Sequence, residues 1–181
     1  MNNKINPVDF DKQGKQAYKK KAYQEAADFF QQASIAYASQ DEALMAAEMA
    51  NNWSVASLQA GDAQTALIAA EGTAEVFAEA GDLRRQGMAL GNQAAALEAQ
   101  GRLDEALLYY EQAAEILKEA GDHDTRLHVM QALSALQLRT GKQLQALATM
   151  QAGLENASST SPKQKLLQKL LSYPNKFLTG K

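Results

Sequence analysis

The stretch Leu97-Glu98-Ala99-Gln100-Gly101-Arg102-Leu103-Asp104-Glu105-Ala106-Leu107 decides the fold. Apolar residues at helical spacing run up to Gly101 and resume just after it. Glycine is favoured just past a helix end, because it takes the left-handed conformation without a Cβ clash. The same punctuation returns at Gly61, Gly81, Gly121 and Gly141, so the breaks fall every twenty residues. Three of these glycines precede an aspartate: Gly61-Asp62, Gly81-Asp82 and Gly121-Asp122. An aspartate carboxylate accepts from the free N–H groups of the next helix's first turn. Each pair therefore reads as the end of one helix and the start of the next.

Segments forty residues apart resemble each other more than segments twenty apart. Ala66-Leu67, Ala106-Leu107 and Ala146-Leu147 share one register, which reaches back to Ala26-Ala27. The repeating unit is a pair of helices, since a single pair cannot cover its own apolar faces and stacking buries a shared core. The spacing predicts four pairs, at about 6–40, 41–80, 81–120 and 121–157. Leu103, Ala106, Leu107, Tyr110, Ala113, Ala114 and Leu117 trace one helix face, and no run of β-branched residues suggests a strand. Alanine fills 35 of 181 positions. Its recurrence at 26, 66, 106 and 146 predicts close helix crossings at that position.

These residues resemble the tetratricopeptide repeat. Leu90, Ala94 and Leu97 match the family's large–small–large pattern on the first helix of a pair. Ala106, Tyr110 and Ala113 match its small–aromatic–small series on the second. Phe10, Gly14, Tyr23, Ala26, Phe30 and Ala33 fit the first repeat, and the second is looser, with Ala70 where an aromatic is usual. The usual repeat is 34 residues. This chain is similar to the long-helix variety of kinesin-light-chain-like and rapsyn-like proteins. The resemblance implies an all-α fold, a right-handed α-solenoid of helix-turn-helix repeats. Three further glycines, Gly72, Gly87 and Gly91, fall inside the helical pattern. Each costs about 0.5–1 kcal/mol against alanine; close approach of a neighbouring helix is the expected return, and local softness of the second and third repeats is the alternative.

After the fourth pair, Ser161-Pro162-Lys163-Gln164 reads as a capping box with proline in the first turn. Leu166, Leu167, Leu170 and Leu171 follow as an apolar stripe, and Pro174 ends it. A capping helix over 161–173 is expected, with tails at 1–5 and 174–181; the alternative is a mobile amphipathic helix that docks in the groove or on a partner.

The net charge of −3 conceals a polarity. Residues 1–21 carry a net +4, residues 161–181 a net +5, and the middle a net −12. Basic residues and aromatics do not interleave along one surface, which argues against nucleic acid. No apolar run is long enough for a membrane span, and the N-terminus lacks the apolar core of a signal peptide. Zero cysteines exclude disulfides and thiolate metal sites. A cytoplasmic location is expected. The two histidines, His123 and His128, and the acid pair Asp122 and Asp124 fall short of a metal ligand set. No nucleophile–base pair or phosphate-cradling loop stands out, so neither an enzyme nor a cofactor is expected.

The family resemblance implies that the first helix of each pair lines a concave groove. The inward residues would include Lys12, Lys15 and Lys19, then Asn51 and Asn52, then Asn92, and last His128, Gln131 and Arg139. Side-chain amides both donate and accept, which suits the backbone of an extended peptide, while the lysines and Arg139 suit acidic segments. The carboxylate clamp of chaperone-tail-binding relatives is not matched: Asn52 fits it, but Asp11 and Met88 replace its lysines. The expected function is a protein–protein interaction module that holds a peptide or protein segment. The alternatives are a self-associating structural protein, with a homo-oligomer as its product, and a sensor of a small peptide or metabolite.

Overall fold

The structure, a computed structural model, describes residues 6–154. Nine helices follow one another among them: α1 (Pro7–Lys19), α2 (Tyr23–Ala38), α3 (Ala43–Gln59), α4 (Ala63–Ala70), α5 (Thr73–Glu79), α6 (Leu83–Ala99), α7 (Leu103–Glu119), α8 (His123–Arg139) and α9 (Gln143–Leu154). The described residues contain no strand. The expected capping helix over 161–173 and both tails lie outside the described residues.

The turns explain why the beat is so regular. Gly61, Gly81, Gly101, Gly121 and Gly141 all have φ between 69° and 88°. In each turn the next residue's N–H reaches the carbonyl five residues back, as from Asp62 to Ser57, Asp82 to Phe77 and Asp122 to Leu117. This is the Schellman closure of a helix end. Lys21 and Asp41, where the sequence lacks glycine, take the same left-handed φ of 62° and 59° and make the same bond, from Ala22 to Ala17 and Glu42 to Tyr37. The aspartates then start the next helices. Asp62 accepts from the Thr65 N–H, Asp82 from the Arg85 N–H and Asp122 from the Thr125 N–H, at 2.9–3.0 Å.

The first helix of each pair (α1, α3, α6 and α8, called inner) alternates with the second (α2, α4–α5, α7 and α9, called outer); packing is mainly between successive helices, and α4 and α5 both pack on α3 and α6. Ala26, Ala66, Ala106 and Ala146 are fully or almost fully buried, as close crossings require. A smaller core gathers Ala17, Phe30, Ala33 and Tyr37 of the first repeat with Met49 of α3, and a larger one spans α3 to α8 around Phe77, Leu97, Leu117 and Leu136.

The three interior glycines divide. A Cβ on Gly87 would lie 2.6 Å from Leu117 Cγ, so close packing is its reason. A Cβ on Gly91 would meet Val129 Cγ2 at 3.4 Å, an ordinary contact. Gly72 departs from the expectation of a packed helix interior. It has φ 76°, no atom within 4 Å of its would-be Cβ, and it separates α4 from α5. The outer helix of the second repeat is broken there, with Glu71 extended at φ −58°, ψ 133°.

Candidate functional site

Lys15, Tyr18 and Lys19 share one face of α1, at i, i+3 and i+4. Asn52 and Val55 share one face of α3. Phe30 of α2 sits behind both. Together these six residues line a cavity of about 260 Å³. Gly14 makes the arrangement possible, because a Cβ there would lie 2.7 Å from Phe30 Cε1. The wall is apolar, built from Tyr18, Phe30 and Val55, and the polar groups are two ammonium ions and one amide. Lys15 Nζ donates to Asp11 Oδ2 at 2.7 Å along the same helix. Lys19 and Asn52 have no hydrogen-bond partner among the described residues. The cavity thus offers an apolar recess flanked by a free cation and a free donor–acceptor.

The structure brings Lys15, Lys19 and Asn52 together and disperses the other expected site residues. Lys12 is exposed on α1, outside the cavity. Asn51 is buried, at 9% exposure, and its Oδ1 accepts from Thr73 Oγ1 at 3.1 Å. That amide holds the start of α5 and does not face a groove. Asn92 on α6 and Gln131 on α8 are half-buried, and His128 is exposed. Arg139 is already paired: its guanidinium donates to Glu98, whose other oxygen accepts from Tyr110 Oη at 2.9 Å. Burial, and then Glu98, push the Tyr110 phenol well above its ordinary range, so it stays a neutral donor. Arg139 thus ties α8 to α6 while its side chain stays 57% exposed. Two more ties of this kind join Arg85 to Glu48 at 3.2 Å and Arg84 to Asp122 at 2.6 Å.

Residues 85–159 match the tetratricopeptide repeat. That match spans α7 to α9 and most of α6, so this part of the chain carries tetratricopeptide repeats. Crystal structures of the nearly identical TPR-like repeats of a kinesin-light-chain-like protein from Podosopora anserina superpose on most of the chain. One has a TM-score of 0.72 at 17% identity and covers 94% of this chain and 88% of that one. A single-substitution form of the same repeats gives 0.71 at 15%, covering 97% and 98%. At that identity the likeness is one of fold. No curated protein matches the sequence.

Tetratricopeptide repeats are generally non-catalytic scaffolds for protein interaction. Among the described residues no helix is long and apolar enough to cross a membrane, and no His, Asp and Glu side chains group into a metal ligand set. The cavity lies between α1 and α3, outside the matched residues and near the basic N-terminal end of the chain. Sequence reasoning had placed Phe30 in the repeat pattern but missed it, with Tyr18, as a cavity wall. The signal was available: Gly14 and Phe30 are sixteen apart across a turn, and a glycine facing an aromatic marks a recess.

Proposed function

We propose that the array is a cytoplasmic interaction module that binds an extended protein segment along its inner helices. It rests on the four helix pairs of the described residues 6–154. The observation that carries the reading is the cavity shared by α1 and α3. An apolar side chain of the segment fills the recess on Tyr18, Phe30 and Val55, Asn52 pairs with its backbone, and Lys19 meets a nearby carboxylate. Asn92 and Gln131 continue the polar line along α6 and α8. The proposal involves no cofactor, nucleic acid or membrane.

Peptides selected by the wild-type array from a displayed random library provide the test. Two lost hydrogen bonds at about 1 kcal/mol each predict a roughly thirtyfold weaker Kd for a Lys19→Ala/Asn52→Ala double variant. Its melting temperature should stay within a degree or two of wild type, since both side chains lack partners among the described residues. Selected peptides that bind the double variant as tightly as wild type would remove the cavity from the reading.

A further inference from the structure

A second cavity, of about 110 Å³, is framed by α4, α6 and α7. Buried Leu67 and Leu97 close its floor, and polar side chains wall it. Arg102 Nε and Nη2 donate to the two Glu105 oxygens at 2.7 and 2.6 Å. Those two charges cancel. Glu71 lines the cavity from the extended residue that ends α4 at the Gly72 break. After Glu105, Glu71 supports the Arg102 cation through space, but it forms no ion pair among the described residues. One negative charge is left over among the groups that line the cavity.

Two neutral groups are also unclaimed. Gln93 of α6 and the Tyr109 hydroxyl of α7 line the cavity and have no hydrogen-bond partner among the described residues. The forty-residue register shows that the amide is out of place. Trp53 and Leu133 stand at Gln93's position one repeat earlier and one repeat later, and both pack in the apolar cores. A half-buried amide without a protein partner needs water or a ligand to complete its hydrogen bonds. The space far exceeds the roughly 10–15 Å³ that one water needs. Neither neighbouring joint repeats the set. Glu105 becomes Thr65 or Gln145 there, and Tyr109 becomes Ala69 or Thr149.

We propose that this cavity is a second binding site, for the guanidinium or ammonium group of an arginine or lysine side chain on a protein partner. One entering cation balances the charge of Glu71. It donates to the Glu71 carboxylate and to the Gln93 carbonyl, and it lies against the Tyr109 ring. A guanidinium suits the site best, because its planar fork can donate to both acceptors while stacking on the ring. This does not depend on the peptide reading above, which concerns α1 and α3.

Methylguanidinium chloride is the probe, added at constant ionic strength to the isotope-labelled full chain, with the Gln93 side-chain amide followed by NMR. The shift of that amide should saturate. Tetramethylammonium, a cation without N–H donors, should give no saturable shift. Glu71→Gln removes one charge-assisted hydrogen bond and should weaken methylguanidinium binding roughly tenfold. Glu71 is exposed and has no ion pair to lose, so helix content by circular dichroism should hold. The Lys19→Ala/Asn52→Ala variant should bind the probe as wild type does, because its cavity is a separate one. A capped Gly-Arg-Gly peptide should displace the probe. No saturable shift, or an equal one with tetramethylammonium or in Glu71→Gln, overturns the proposal. So does loss of the shift in the Lys19→Ala/Asn52→Ala variant, which would place the probe between α1 and α3. A peptide that leaves methylguanidinium bound would make a free small cation the ligand and overturn the assignment to a protein side chain.

Discussion

The outer helices of the second and third repeats cover equivalent positions, from Ala63 to Glu79 and from Leu103 to Glu119, yet one is broken and the other is continuous. The third has exposed Gln112 where the second has Gly72, and buried Ala113 where the second has Thr73. The break costs no packing, because Gly72 faces open space. It is held by Thr73, whose hydroxyl lies within hydrogen-bond distance of Ala70 O at 2.8 Å and of Asn51 Oδ1 at 3.1 Å. In the third repeat the inner helix carries its own glycine, Gly87, under Leu117. A glycine in a helical pattern is thus a break or a close contact according to what stands opposite it.

The largest expected effect sharpens that contrast. Gly87→Ala gains about 0.5–1 kcal/mol of helix preference but forces Leu117 from its place at a cost of about 1–3 kcal/mol, so the clash wins. Denaturant unfolding should show a net loss of about 1–2 kcal/mol. Gly91→Ala, one turn on with an ordinary contact, should be neutral or slightly stabilising; equal losses at both sites would abolish the distinction. Next comes Asn51→Ala, expected to lower stability by about 1 kcal/mol through its lost bond to Thr73 while leaving peptide capture unchanged. Reduced capture at unchanged stability would return Asn51 to the groove.

The acid response tests the joint between the two repeats. The Arg85 backbone N–H, then its side chain, hold Asp82 below the usual carboxylate range. A depressed folded pKa gives stability that is complete above the unfolded value of about 4 and is lost as pH falls through the folded one. The melting temperature should therefore fall below about pH 4, and Asp82→Asn should make that fall shallower. An identical acid profile would show that the cap's charge is idle. The smallest effect belongs to the first repeat. Lys21→Gly relieves a left-handed lysine worth about 1 kcal/mol but adds about 0.5–1 kcal/mol of unfolded-state entropy, leaving a gain of a few tenths. A loss would mean that the lysine side chain stabilises the turn.

The twenty-residue beat was legible in the sequence because a Schellman turn and an aspartate cap are local events with strong residue preferences. Even Lys21 and Asp41 obey it, which shows that stacking imposes the turn where the residue does not favour it. The break at Gly72 was not legible, since helix continuation depends on what lies opposite an exposed glycine. The convergence of three of the expected residues was legible. Lys15, Lys19 and Asn52 converge because two adjacent inner helices present the same face. The burial of Asn51 and the pairing of Arg139 were not legible, because their partners, Thr73 and Glu98, lie twenty-two and forty-one residues away.

The ties between successive inner helices carry a mechanical consequence. Arg84–Asp122, Arg85–Glu48 and Arg139–Glu98 each reach across one repeat with at least one partly exposed partner. Exposed pairs hold with about 0–1 kcal/mol each and are screened by salt. The alanine crossings at 26, 66, 106 and 146 are stiff by comparison. Rising ionic strength should therefore weaken these ties alone, while the apolar core that runs from α3 to α8 keeps the repeats stacked.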